Sequence, residues 1–324
     1  MAFCPTLSYN VLMRRALILY NPVAGRFPVK PFLGSVTKTL SLAGWNADVL
    51  ATQSGAHATE SARRAACEHY DAVFASGGDG TIGQAASGLV GSETALGILP
   101  SGTANVLALE LGLPVFSWTR WWALKENAHT LADAPVRAVD VGLCNGQPFL
   151  LWAGMGLDAM TIHATEPRLR VEKFFAFPQY FGATVWNATQ WGGLRLRLWA
   201  DEQEVEGQFM LAVANNIRRY MGGLSVLSPE ATMDDGEFDL WLISGNNLGD
   251  ALLRAYELWR GHHLTSDKSR RIPFHTLRVT AETPFLVQAD GEPRPETREV
   301  VITIQPRALR LLMPPKALGL LSKI

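Results

Sequence analysis

The chain has 324 residues, 48% of them apolar and 18% charged, with a formal net charge of −1. That apolar fraction excludes a disordered chain, and the near-neutral balance excludes a protein that binds nucleic acid by neutralising many phosphates. A length of this order points to two domains rather than one.

Arg14 and Arg15 follow the first apolar stretch instead of preceding it, and no small-residue cleavage site comes after them, so the start does not read as a secretory signal. Short apolar runs bounded by turn residues then predict buried parallel strands at Ala16–Tyr20, Ala47–Ala51, Asp71–Ala75 and Ala95–Leu99. Helical stretches at Pro31–Leu42, Ala58–His69 and Thr81–Leu89 lie between them, and a further one spans Trp118–Leu131. The alternation predicts an α/β domain with right-handed crossovers. From Val136 the pattern changes to strand-like runs at Leu194–Ala200, Gln208–Ala214, Phe238–Ile243, Leu277–Ala281 and Val300–Gln305, most of them separated by turns. This predicts a mainly antiparallel β domain, with the boundary at Ala134–Pro135. The division expected is 14–134 and 135–324, with a C-terminal tail able to pack back on the first domain.

Phe174–Leu194 carries no charge but contains Pro178, Gln179, Asn187, Gln190 and Gly192–Gly193, too polar a composition for a spanning helix. Cys4, Cys67 and Cys144 are widely spaced, which suggests neither a disulfide framework nor a zinc site. A cytoplasmic protein is expected.

The chemistry concentrates at strand ends. Ser76-Gly77-Gly78-Asp79-Gly80-Thr81 follows a predicted strand and opens a predicted helix. Its glycines let backbone approach a ligand, and a helix N-terminus offers free N–H groups to phosphate. Asp79 is out of place among phosphate donors unless a cation or a hydroxyl proton lies between, which marks it for metal-linked or proton-accepting work. Taken alone, the stretch also fits a plain strand–turn–helix connection in which Asp79 is the N-cap. Leu99-Pro100-Ser101-Gly102-Thr103-Ala104-Asn105 repeats the arrangement on a neighbouring strand. Asn21-Pro22-Val23-Ala24-Gly25-Arg26 ends the first strand, where Arg26 offers a positive charge. Ligands of open α/β sheets bind outside the carboxyl ends of the strands, and these loops share that edge.

These three motifs resemble, in order, those of the diacylglycerol kinase catalytic-domain family, which includes bacterial lipid kinases and sphingosine kinases. The likeness continues through Val139-Asp140-Val141-Gly142, Gly154-Met155-Gly156-Leu157-Asp158-Ala159, Ser228-Pro229 to Asp235-Gly236, and Asp290-Gly291-Glu292. The resemblance implies an N-terminal α/β domain with an NAD kinase-like parallel sheet, a C-terminal β-sandwich, and an active site in the cleft between them. It implies an ATP site at Asn21, Pro22, Gly25, Thr52, Gly77, Gly78, Asp79, Gly80, Thr81 and Thr103, joined by Arg26. It further implies a Mg²⁺ site at Asp235 with backbone carbonyls at Thr232 and Glu237, Glu292 as general base, and Asp290 orienting nucleotide or metal. Asp158 corresponds to a residue that meets the acceptor headgroup in the sphingosine kinase branch. Val106 departs from the pattern, because many members carry an acidic residue there.

The function implied is transfer of a phosphoryl group from ATP to a lipid hydroxyl at a membrane surface. The alternatives are a kinase of a soluble substrate, of the NAD kinase type, and a non-catalytic nucleotide-binding relative. Aromatic residues from Lys173 to Trp191 suit an acyl-chain pocket or a core helix. Arg168, Arg170, Lys173, Arg218, Arg219, Lys268, Arg270 and Arg271 suit anionic headgroups or a solvated face. The lipid and the oligomeric state are left open.

Overall fold

The computed structural model describes residues 13–165 and 192–322. Strands β1 (Arg14–Tyr20), β2 (Trp45–Ala51), β3 (Ala72–Gly77) and β4 (Ala95–Pro100) lie in the parallel order β2-β1-β3-β4. Every residue of β3 and β4 is buried, which is why these read as unbroken apolar runs rather than alternating ones. Helices α1 (Leu33–Leu42), α2 (Gly55–Cys67), α3 (Asp79–Leu89), α4 (Val106–Glu110) and α5 (Ala123–Ala132) accompany them. Ser54 starts α2 by accepting the His57 N–H on its side chain. Small residues let α2 and α3 approach closely, so that a Cβ at Gly88 would overlap the Thr59 carbonyl oxygen.

The second half begins with β5 (Val136–Cys144), β6 (Gln147–Phe149), β7 (Trp152–Gly156) and α6 (Leu157–Thr165). After the undescribed stretch come β8 (Leu194–Ala200), β9 (Gln203–Phe209), β10 (Leu211–Asn215), β11 (Arg219–Tyr220), β12 (Ser225–Val226) and β13 (Phe238–Ile243). The last elements are α7 (Leu248–Arg260), β14 (Ser269–Phe274), β15 (Thr276–Ala289) and β16 (Glu292–Leu312). Their mutual pairings are antiparallel, and Phe149, Phe238, Phe274, Leu198, Val279 and Ile302 fill a core of their own.

The 21-residue β16 joins the two parts. Its first portion pairs with β15, its second with β5, and Leu311 lies beside Leu96 as a parallel partner of β4. A register shift between Gln305 and Leu309, where Arg307 takes φ +51°, re-aims the strand as it passes from one part to the other. The α/β sheet is thus completed by a strand from the far end of the chain.

Three sequence expectations need correction. Gln208–Ala214 is not one strand: Met210 separates β9 from β10, donating its N–H to Ile243 and accepting that of Leu157. The connection after β13 holds a 13-residue helix rather than a turn, α7, capped by the Asn247 side chain and closed by Gly261 at φ +75°. The helix expected from Trp118 starts only at Ala123, because Ser117–Arg120 forms a tight turn with the Arg120 N–H donated to the Ser117 carbonyl.

Leu311 is 1% exposed and touches both parts of the sheet, so Leu311→Ala should leave a cavity at the joint. A loss of about 2–5 kcal/mol is expected in urea unfolding. A loss below about 1 kcal/mol would show that the joint relaxes around the missing side chain.

Candidate active site

Three loops meet at the carboxyl edge of the parallel sheet, and they meet through backbone. Gly78 caps α3 in an extended conformation with no side-chain bond, which leaves Asp79 as the first helical residue and not the N-cap. A Cβ at Gly102 would overlap the Gly78 Cα, and one at Gly25, which sits at φ +62°, would overlap the Ser101 carbonyl oxygen. Side chains fasten the same loops. The Asn21 amide donates to the Thr81 hydroxyl at 3.1 Å, and Asn21 Oδ1 accepts the Val23 N–H at 3.0 Å. Asn105, in the left-handed region at φ +56°, accepts the Gly102 N–H at 2.8 Å and donates back to the Gly102 carbonyl at 2.9 Å. Thr52 is buried at the end of β2 next to these loops, whereas Arg26 and Thr103 are exposed.

Asp79 points across to the second loop. Its carboxylate accepts the Leu107 N–H at 3.2 Å and also bonds the N–H groups of Asn105 and Val106, so it caps α4, whose own N-cap residue is turned back on Gly102. Val106 supplies one of those N–H groups while its side chain is buried, so this position serves the core. Burial pushes the Asp79 carboxyl above the usual carboxylate range.

The remaining acidic residues arrive from the other end of the chain. Asp290 and Gly291 form the two-residue turn between β15 and β16, with φ +53° and +78°, as a primed hairpin turn requires. The Asp290 carboxylate accepts the N–H groups of Leu150 at 2.7 Å, Leu151 at 2.8 Å and Trp152 at 3.3 Å. Burial first, with the Asp79 charge adding to it, raises its pKa to about 6 against the three stabilising N–H bonds. Glu292 lies over the first turn of α3: its Oε1 accepts from the Gln84 amide at 3.2 Å and stands 2.9 Å from where a Gly80 Cβ would be. A Cβ at Gly83 would likewise lie 3.7 Å from Asp290. The turn is both a tight hairpin and a carboxylate cluster facing glycines.

Asp158 belongs to the same assembly through a residue absent from the sequence reading. Gln288 is fully buried in β15; its amide donates to Asp158 at 2.5 Å and its carbonyl accepts the Gly291 N–H at 2.9 Å. A buried amide satisfied on both ends links the first turn of α6 to the Asp290–Glu292 turn. Its only sequence signal was a polar residue inside an apolar strand.

Thr232, Asp235 and Glu237 lie together in a different loop. Asp235 accepts from the Thr232 hydroxyl, and from the Glu237 N–H at 3.2 Å. Asp140, fully buried, accepts the N–H groups of Gly236 at 2.6 Å and Arg307 at 2.7 Å and so pins this loop to the bend in β16. Its carboxyl is pushed up by burial and by the nearby Asp234 and Asp235 charges. Among the described residues no cluster of three or more His, Cys, Asp or Glu side chains is placed to hold a metal. The expected set needs only one carboxylate with backbone oxygens, and its all-oxygen chemistry suits a hard cation.

Arg218, Arg219 and Arg271 are held by Gly319 and Ala231 carbonyls, by Glu110, and by Asp239 and Glu230 respectively, so they are structural anchors. The aromatic segment from Lys173 to Trp191, with Arg168 and Arg170, lies outside the described residues.

The model of the diacylglycerol kinase catalytic domain matches residues 15–144, and that of the YegS C-terminal NAD kinase beta sandwich-like domain matches residues 153–313. The chain belongs to the diacylglycerol kinase catalytic-domain family. It has the family's parallel α/β domain followed by an antiparallel β-sandwich. A diacylglycerol kinase of Bacillus subtilis is 29% identical over 282 residues, covering 86% of this chain and 90% of its own length. One from Staphylococcus saprophyticus is 27% identical over 288 residues, covering 87% and 90%. A crystal structure described as a diacylglycerol kinase from Bacillus anthracis superposes with a TM-score of 0.70 at 20% identity, covering 94% of this chain and 98% of that one, a likeness of fold. Its relatives support a kinase of the lipid-kinase type. Among the described residues no helix is long and apolar enough to cross a membrane.

The raised Asp290 pKa carries a sign. A carboxyl whose folded value lies above its unfolded one contributes stability at low pH that is lost as pH rises through the folded value, here about 6. Without nucleotide or metal, the wild type should therefore lose stability relative to Asp290→Asn between about pH 4 and pH 7 in urea titrations. A constant difference across that range would mean that Asp290 titrates as an ordinary carboxyl.

Proposed function

We propose that the protein is an ATP-dependent lipid kinase that transfers the γ-phosphoryl group to a lipid hydroxyl. The observation that carries this reading is the convergence of Asp79, Asp290 and Glu292 on the N-terminal turn of α3, among glycines that present backbone N–H groups to anionic phosphate. Diacylglycerol kinases among its relatives favour a diacylglycerol-like acceptor, with sphingoid and related lipids in the same class.

In this reading Asn21, Pro22, Gly25, Arg26, Thr52, Gly77, Gly78, Gly80, Thr81 and Thr103 form the nucleotide cradle. Phosphoryl transfer demands positioning and charge stabilisation more than covalent chemistry, and loops locked backbone to backbone supply fixed dipoles for it. Glu292 accepts the proton of the lipid hydroxyl as that oxygen bonds the γ-phosphorus and the bond to the ADP oxygen breaks. Asp290 orients Glu292 by fastening the turn to Leu150–Trp152, and Asp158 meets the acceptor headgroup, held by Gln288. Mg²⁺ would be held by Asp235 with carbonyls of Thr232 and Glu237, and would supply positive charge that offsets the carboxylates nearby. The enzyme works in the cytoplasm, peripherally at the membrane that holds its substrate.

Incubation with labelled ATP and a total lipid extract tests the reading. A labelled lipid supports it, whereas a labelled dinucleotide from added NAD would favour the soluble-substrate kinase, and no product a non-catalytic relative. Asp79→Asn should lower turnover at least about a hundredfold, the scale of a positioned catalytic group, with the melting temperature measured alongside because Asp79 also caps α4. Glu292→Gln should lower kcat with little change in nucleotide affinity, and Asp235→Asn should raise the Mg²⁺ concentration needed for activity. Normal turnover in a well-folded Glu292→Gln enzyme would remove the general-base assignment.

A further inference from the structure

The carboxyl edge of the parallel sheet bears a second feature that the phosphoryl-transfer chemistry does not use. Between α4 and α5 the chain reads Phe116-Ser117-Trp118-Thr119-Arg120-Trp121-Trp122, and its three tryptophans are 76%, 55% and 46% exposed in chain order. Large aromatic side chains left this open in one cluster mark a surface that meets something. The cluster is a built platform. Trp118 packs its ring 6.0 Å from Phe27, Trp121 lies 6.2 Å from Phe32, and Phe32 stands 5.2 Å from the buried Phe116. The Phe116 N–H is donated to the Pro100 carbonyl, which fixes the platform to the end of β4. Arg120 holds the turn by bonding both oxygens of Glu126 at 3.0 and 3.1 Å.

Its position and charge decide between partners. Phe27 directly follows the Asn21–Arg26 loop, so the platform stands at the same sheet edge as the proposed nucleotide cradle. The two contributing segments, 26–33 and 113–126, hold Arg26, Lys30, Arg120 and Lys125 against the single acidic residue Glu126, which pairs with Arg120, so the patch keeps an excess of positive charge in a chain whose net charge is −1. Exposed tryptophan combined with local positive charge matches the interfacial region of a bilayer with anionic headgroups, where indole rings lodge at headgroup depth and each nearby cation adds attraction. We propose that Trp118, Trp121 and Trp122, rimmed by Lys30 and Lys125, dock the protein on anionic phospholipid surfaces and so bring the catalytic edge to its substrate. This rests on the lipid-kinase reading for its purpose, though not for its physical basis.

The full-length protein is sedimented with vesicles of phosphatidylcholine and phosphatidylglycerol at about 3:1, and its phosphorylation of a short-chain diacylglycerol below its micellar concentration is measured in parallel. Trp118→Ser with Trp121→Ser should weaken vesicle binding about tenfold or more, with unchanged melting temperature and unchanged turnover of the dispersed acceptor. Lys30→Glu with Lys125→Glu, a second route that spares the aromatic side chains, should weaken binding to the same vesicles and abolish its dependence on phosphatidylglycerol. Unchanged sedimentation of both variants would overturn the proposal. So would loss of binding in Trp259→Ser on α7 but not in the Trp118 and Trp121 variant. A lipid-free dimer that the tryptophan variant abolishes would assign the patch to a second copy of the chain, and would equally overturn it. Vesicle binding that behaves as expected in a protein that phosphorylates no lipid would instead remove the kinase reading and leave the docking surface standing.

Discussion

The Asp290 carboxylate accepts N–H groups from three consecutive residues, Leu150 to Trp152, and the geometry of the site follows from that interaction. It ties the turn between the two longest strands to the segment entering β7, and it does so inside the protein, where a carboxylate without donors is costly. Glu292 is two residues away and inherits its position over α3 from this staple. Gln288, two residues before Asp290 in β15, repeats the device by tying Asp158 to Gly291. The second half of the chain thus delivers its chemistry to the first through polar groups with satisfied partners, not through apolar contact alone.

The same interaction sets an electrostatic opposition. Asp79 comes from the α/β half and Asp290 from the sandwich, and the charge of the first raises the pKa of the second. Each carboxylate is stabilised by backbone N–H groups, and both are destabilised by burial. With both acids buried, ionisation of Asp79 makes ionisation of Asp290 costlier, and protonation of Asp290 relieves that opposition as pH falls through about 6.

Much of this was legible in the residues. Buried parallel strands announce themselves as apolar runs, and the Gly-rich loops after β1, β3 and β4 were visible because glycine at strand ends has few other uses. The strands β8 and β13 fall on the predicted limits, since both are bounded by turn residues. What failed was governed by partners far along the chain. Nothing near Met210 shows that its N–H is claimed by Ile243, which splits two strands there. Helix α7 was missed because its exposed face is apolar, at Leu252, Leu253, Tyr256 and Trp259, which blurs the usual contrast between inner and outer sides. Gln288 was invisible for a similar reason, because its role exists only once Asp158 and Gly291 are brought to it. The candidate site motifs were picked out through family likeness; the structure adds that Asp290 and Glu292 face the start of α3, where Asp79 lies, and that Asp140 pins the Asp235 loop to the bend in β16.

Strand β16 has a consequence for how the protein is made. The α/β half contains all four parallel strands within its first hundred residues, yet β4 gains its outer neighbour only at Leu311. A chain emerging from the ribosome must hold that edge, with Leu96 and Gly97 on it, until more than two hundred further residues have followed. Contacts of such sequence separation form late and leave an open strand edge in the meantime. Nascent chains stopped short of this strand therefore present a half-finished sheet with an unpaired edge at β4.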